Sequence, residues 1–172
     1  MVRERAGVFA FRGKPVALVG RELKVGDPAP DFHCLSVDME PVSLHSTAGK
    51  VRLFSVVSSL DSSLCDQQTR RFNQIAADLP VEVAVIAVSL DLPFTQARWC
   101  AVAEVVNLIT YSDHRDASFG KAYGVLIEEW RLLARSVFVV DRQDVIRHAQ
   151  IVPDFASLPN FEPVLKVVRE VI

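Results

Sequence analysis

A chain of 172 residues, half of them hydrophobic, 23% charged and with a formal net charge of −2, has the apolar content of one ordinary domain spanning residues 1–172 and excludes disorder. The near-neutral balance leaves no basic footprint for nucleic acid, and no apolar run reaches the roughly 18 residues that suggest a membrane span. No secretory-type apolar run follows the charged N-terminus, so the expectation is a soluble cytoplasmic protein. Its three cysteines, Cys34, Cys65 and Cys100, are there either inert core residues or chemical ones, not a disulfide framework.

Residues Gly7 to Gly20 read as two short apolar strands about a Gly-Lys-Pro turn, a hairpin. The proline-rich stretch 26–30 is not helical, and short extended pieces are predicted over Asp31–Val37 and Pro41–Leu44. The run Val51–Val57, Val-Arg-Leu-Phe-Ser-Val-Val, is β-branched and apolar in character, consistent with a central strand buried on both faces. A helix from about Ser62 to Leu79 follows, with Phe72, Ile75, Ala76 and Leu79 at helical spacing and Asp61 or Ser62 as N-cap.

Val81–Ser89 is a second buried strand. Pro93 suits the first turn of a helix reaching about Val105, with Phe94, Ala97, Cys100 and Ala101 along one side. Val106–Tyr111 is a third strand, and Ala117–Tyr123 a short helix stopped by Gly124. Leu133–Val140 and Val145–Val152 form a late hairpin about residues 141–144, before a terminal helix from about Asn160 to Ile172. The alternation predicts parallel pairing through right-handed crossovers, and the late hairpin adds antiparallel strands. The fold class is therefore α/β: a mixed sheet with helices on both faces, compatible with a thioredoxin-like core and an N-terminal β-hairpin extension.

Cys65 stands out because it follows an apolar strand and opens a helix. First-turn N–H groups and the positive end of the helix dipole favour thiolate over thiol there, and Arg70 and Arg71 lie one to two turns further on. Other chemistries fit less well. Cys34, Cys65 and Cys100 with His33 lack the paired spacing of a zinc site, and no motif brings His45, His114 or His148 to Cys65 as a Cys–His hydrolase requires. Cys34 reads as a small buried hydrophobe, Arg71 as part of a solvated helix face, and Phe94, Trp99 and Trp130 as core or subunit contacts.

Three blocks carry a family resemblance: Ser59-Leu60-Asp61-Ser62-Ser63-Leu64-Cys65-Asp66 with residues 68–73; Ser89 to Cys100; and Ala122-Tyr123-Gly124-Val125 leading to Leu132–Asp141. With the lead-in Phe11–Val16 and Lys24–Phe32, the chain resembles, over nearly its whole length, the thiol peroxidases, the atypical two-cysteine branch of the peroxiredoxins. The resemblance implies that Cys65 is the peroxidatic cysteine, oxidised by hydrogen peroxide or an alkyl hydroperoxide to a sulfenic acid. Ser62, where the family usually has threonine, would hold the peroxide through its hydroxyl. Arg135 would stabilise the thiolate and the developing oxyanion. Cys100 would be the resolving cysteine, closing an intrachain disulfide that thioredoxin reduces, with no metal, flavin or haem, in a homodimer.

Partial unwinding of the Cys65 helix is part of that expectation, because disulfide-linked Cα atoms lie within about 7 Å. The chain departs from the family at Ser58, where proline normally stands seven residues before the cysteine. Losing that fixed φ removes stiffness and shielding from the loop. It is the one feature that favours a rival reading, a redox-responsive sensor or binding protein with weak peroxidase activity.

Overall fold

The computed structural model describes residues 4–172. Two strands, β1 (Glu4–Phe11) and β2 (Lys14–Val19), form the N-terminal hairpin. Its turn falls on Arg12 and Gly13, and Lys14 and Pro15 already belong to β2. Both turn residues have positive φ, 49° and 76°, as tight two-residue hairpin turns demand.

The main sheet has seven strands: β3 (Cys34–Leu35), β4 (Pro41–Val42), β5 (Val51–Val56), β6 (Val83–Ser89), β7 (Ile109–Ser112), β10 (Ser136–Val140) and β11 (Ile146–Ile151), in the order β11-β10-β5-β6-β7-β3-β4. Strands β5, β6 and β7 run parallel, whereas β10, β11, β3 and β4 pair antiparallel. The helices are α1 (Ser63–Ala77), α2 (Pro93–Val102), α3 (Ser118–Ala122) and α4 (Phe161–Val171). Two short strands, β8 (Leu126–Ile127) and β9 (Leu132–Leu133), join the hairpin in a second sheet ordered β1-β2-β8-β9. This is the mixed α/β, thioredoxin-like architecture.

Alternation along β5 divides the core. Val51 and Leu53 pack with Phe72 of α1 and with Val164 and Val168 of α4, while Phe54 and Val56 face α3 and the hairpin. On that second side Phe32, Phe54, Phe119, Tyr123 and Phe138 form one aromatic cluster, with the Phe119 and Tyr123 rings stacked at 4.0 Å. Gly124 has φ +67°, and a Cβ there would lie 2.1 Å from the Arg21 carbonyl oxygen, so glycine both ends α3 and admits the hairpin beside it.

Three expectations change. The stretch Leu133–Val140 is not one strand: it breaks at Ala134 and Arg135, so Arg135 lies in a short link between β9 and β10. Of the two readings of Phe94, core or subunit contact, the core one fails: the apolar side of α2 is turned outward, with Phe94 at 69% exposure and Ala97 and Ala101 exposed. The helix buries Pro93 and Gln96 instead. A polar residue is tolerated there because the Gln96 amide donates to Ser89 Oγ and the Tyr111 carbonyl, both at 3.0 Å. Finally, β5 buries Arg52 completely at its start, its guanidinium bonded to the Lys50 and Asp141 carbonyls, both at 2.7 Å, and to the Asp144 carboxylate.

Candidate active site around Cys65

The strand β5 delivers the chain to one edge of the core, and residues 57–62 turn it into α1. Each end of that turn is tied down. Val57 N–H bonds to the Val88 carbonyl at 3.0 Å, Ser59 Oγ donates to Asp91 Oδ1 at 2.8 Å, and Leu60 N–H donates to Asp91 Oδ2 at 2.8 Å. Asp91 also accepts from Ser89 Oγ at 2.8 Å. Ser58 is buried and its hydroxyl donates to the Leu133 carbonyl at 2.8 Å. The loop that lacks the family's proline is thus anchored by a buried hydrogen bond to β9, two residues from Arg135.

Ser62 is the N-cap of α1, with extended backbone (φ −82°, ψ 133°), but its side chain makes no capping hydrogen bond. Its hydroxyl is therefore not committed to the helix's own N–H groups. Cys65 sits in the first turn, fully buried in an apolar cluster with Val57 and Leu60, against which Trp99 of α2 packs.

One turn along the same face, Gln68 joins the Cys65 helix to Arg135. The Gln68 Nε2 donates to Ser55 Oγ at 2.8 Å and to the Val56 carbonyl at 3.4 Å, which fixes the amide so that Oε1 accepts from Arg135 Nη1 at 2.9 Å. Arg135 is 1% exposed, and its Nε and Nη2 have no hydrogen-bond partner among the described residues. A buried guanidinium with two empty donor edges is costly unless an anion or a polar oxygen fills them.

Cys100 is half-buried on α2. Burial pushes its thiol up from the ordinary range, and a hydrogen bond with Thr110 of β7 offsets part of that rise. Cys65 and Cys100 are both free thiols on separate helices; the structure joins Gln68, on the Cys65 helix, to Arg135 and leaves Cys100 outside that network. Cys34 is buried and hydrogen-bonded to Asp113 Oδ1 at 3.5 Å, with its thiol pushed far up by burial and the neighbouring carboxylate. That is an inert environment. Arg71 is exposed, and Arg70 pairs with Asp66 rather than with sulfur.

Sequence reasoning missed Gln68 and Asp91. The spacing of Gln68, three residues after Cys65, would have placed it on the cysteine's face. Nothing local marks Asp91, whose role depends on β6 lying beside the loop. Leu60 and Trp99 also line a surface groove of about 410 Å³ bordered by Asp66, Arg70, Val102 and Ala103. A larger open depression, about 880 Å³, lies over α4 and holds none of these reactive groups.

The redoxin family matches residues 24–165, and the chain belongs to it. It is 50% identical over 161 residues to the thiol peroxidase of Halalkalibacterium halodurans, covering 94% of this chain and 96% of that one. The thiol peroxidase of Bacillus subtilis is 49% identical over 164 residues, with 95% and 98% covered. Among solved structures, a peroxiredoxin-like protein from Aquifex aeolicus superposes with a TM-score of 0.90 at 36% identity, covering 97% of this chain and 98% of that one.

Proposed function

We propose that this chain is a thiol-dependent peroxidase in which Cys65 reduces peroxide, Ser62 and Arg135 hold the reacting oxygens, and Cys100 resolves the oxidised sulfur. The observation that carries the reading is the Arg135 guanidinium, buried, tethered by Gln68 to the Cys65 helix, and with Nε and Nη2 empty. Two free N–H donors tethered to the helix whose first turn carries the sulfur suit a reaction in which negative charge moves from sulfur to oxygen. The Cys65 thiolate attacks the near oxygen of ROOH, the O–O bond breaks, and the leaving RO⁻ takes a proton to become ROH while sulfur keeps OH. The fixed donors stabilise that charge without reorganising. Hydrogen peroxide and alkyl hydroperoxides are the proposed substrates.

The Cys100 sulfur then displaces hydroxide from the sulfenic sulfur, water is released, and a Cys65–Cys100 disulfide remains for a dithiol to reduce. Thioredoxin is the proposed reductant, a homodimer the proposed assembly and the cytoplasm the proposed location. Exposed Phe94 and Val102, at 69% and 79% on α2, support an apolar contact surface, and no helix among the described residues is long and apolar enough to cross a membrane. Ser58 does not favour the sensor reading, because its hydrogen bond to Leu133 holds the loop that proline would otherwise stiffen.

The test is peroxide consumption coupled to thioredoxin and its reductase, with Cys65→Ser and Cys100→Ser variants. Cys65→Ser is expected to lose all turnover, and Cys100→Ser to accumulate a dimedone-reactive sulfenic acid at Cys65. Labelling at Cys34 instead, or turnover surviving in Cys65→Ser, refutes the assignment.

A further inference from the structure

We propose that Trp99, held by Asp66 and Arg70, is a positioning residue for the resolving step: a wedge between the two cysteines whose release sets how fast the disulfide closes. This rests on the roles given above to Cys65 and Cys100.

The wedge is built from one carboxylate. Asp66, the residue after Cys65, accepts from Trp99 Nε1 through Oδ1 at 3.1 Å, and both its oxygens accept from Arg70 Nε at 3.0 and 2.9 Å. Arg70 Nη1 reaches across to the carbonyl of Ala103, the C-cap of α2, at 3.0 Å, and the guanidinium lies 5.7 Å from the Trp99 ring centroid. The first turns of α1 are thereby clamped both to the indole and to the end of α2.

The geometry keeps the thiols apart. Consecutive residues on a helix point about 100° apart, so Trp99 and Cys100 present different sides of α2. Trp99 packs against the cluster of Val57, Leu60 and Cys65, and the half-buried Cys100 does not. Turning Cys100 toward Cys65 therefore removes the indole from its seat and breaks its bond to Asp66. While the wedge is seated, a Cys65 sulfenic acid waits, and a second peroxide can oxidise it to the sulfinic acid with loss of water. The clamp sets the partition between disulfide and sulfinic acid.

The experiment uses the full-length reduced protein, mixed with one equivalent of hydrogen peroxide to time closing and with a rising excess to titrate sulfinic acid, quenched at intervals and read by mass spectrometry as thiol, dimedone-trapped sulfenic acid, disulfide and sulfinic acid. Asp66→Asn and Arg70→Gln are expected to close the disulfide about tenfold faster, equivalent to about 1.4 kcal/mol. Both are expected to raise by a similar factor the peroxide concentration that gives half sulfinic acid. The gain belongs to closing alone: sulfenic acid formation, read in the Cys100→Ser background, rises in neither. Arg70→Lys restores part of the slow closing, because it keeps the charge without the fork that spans Asp66 and Ala103. Salt at about 0.5 M speeds closing in the wild type and not in Arg70→Gln, since an exposed ion pair is screened.

If Asp66→Asn melts early, Arg70→Gln, whose side chain is 45% exposed, carries the test. Closing that is unchanged or slower in Arg70→Gln overturns the proposal. A wild type that forms no Cys65–Cys100 disulfide overturns the functional reading and this one together, and is recognised before any variant is made.

Discussion

Replacing Gln68 by leucine should damage this protein twice, and the second injury identifies the cause. The side chains are similar in volume, so the change removes hydrogen bonds more than packing. Arg135 then keeps its charge at 1% exposure with none of its guanidinium N–H groups bonded to a described side chain, whereas it now has Nη1 on Gln68 at 2.9 Å. Stranding a buried cation in this way costs about 3 kcal/mol, between the loss of one charge-assisted bond and the full penalty of an uncompensated buried charge. For a chain of 172 residues that is a fall in Tm of about 6–12 °C. Arg135→Met alone leaves only a neutral amide oxygen unsatisfied, at about 1–2 kcal/mol. The double variant should therefore be more stable than Gln68→Leu by about 2 kcal/mol, because removing the charge removes the penalty.

The assay is thermal and urea unfolding of the four proteins of this cycle, with peroxide consumption measured alongside. Both single variants should lose roughly 10²-fold in peroxide reduction, the scale for losing or misplacing one oxyanion donor. If the two stability changes add within about 0.5 kcal/mol, Gln68 and Arg135 are not coupled and the tether is wrong.

Ser58→Ala should lose about 1–2 kcal/mol through the stranded Leu133 carbonyl and slow peroxide reduction severalfold; a loss below about 0.3 kcal/mol in urea unfolding would mean the hydroxyl does not anchor the loop. Asp141 sets an acid limb to stability. Burial pushes its carboxyl up, but N–H bonds from Val145 and Gln143 and the Arg147 pair at 2.5 Å outweigh that, leaving it below the ordinary carboxylate range. A lowered folded pKa contributes stability that is present above the unfolded carboxylate's pKa and lost as pH falls through the folded one. Asp141→Asn should therefore narrow its stability gap to the wild type as the medium is acidified below about pH 4, the reference carboxylate range, and a gap independent of pH would refute the assignment.

The parts legible in the sequence were those with a local physical signature. The largely apolar run at 51–57, with valine at 51, 56 and 57, reads as a buried strand, and Cys65 could be placed in a first turn because Asp61 or Ser62 reads as the N-cap of the helix that follows it. The break at Arg135 was hidden because Leu133, Ala134, Ser136 and Val137 read as one apolar strand, and the hydrogen bond from Val152 N–H to the Arg135 carbonyl that fixes the link comes from a distant segment. The inversion of α2 was hidden for a related reason. Phe94, Ala97 and Ala101 make a plausible apolar stripe, but Ser89 and Tyr111 supply the partners that let Gln96 be the buried residue.

By itself, the sequence determined the element order, the mixed sheet and a cysteine at a helix start, because periodicity and capping act over a few residues. Only the tertiary structure decided what surrounds that cysteine. The Gln68–Arg135 tether, the Ser58 anchor on β9 and the Trp99–Asp66 bond join residues 67, 75 and 33 positions apart. Distances of that kind are set by which faces the sheet brings together, and no local propensity encodes them.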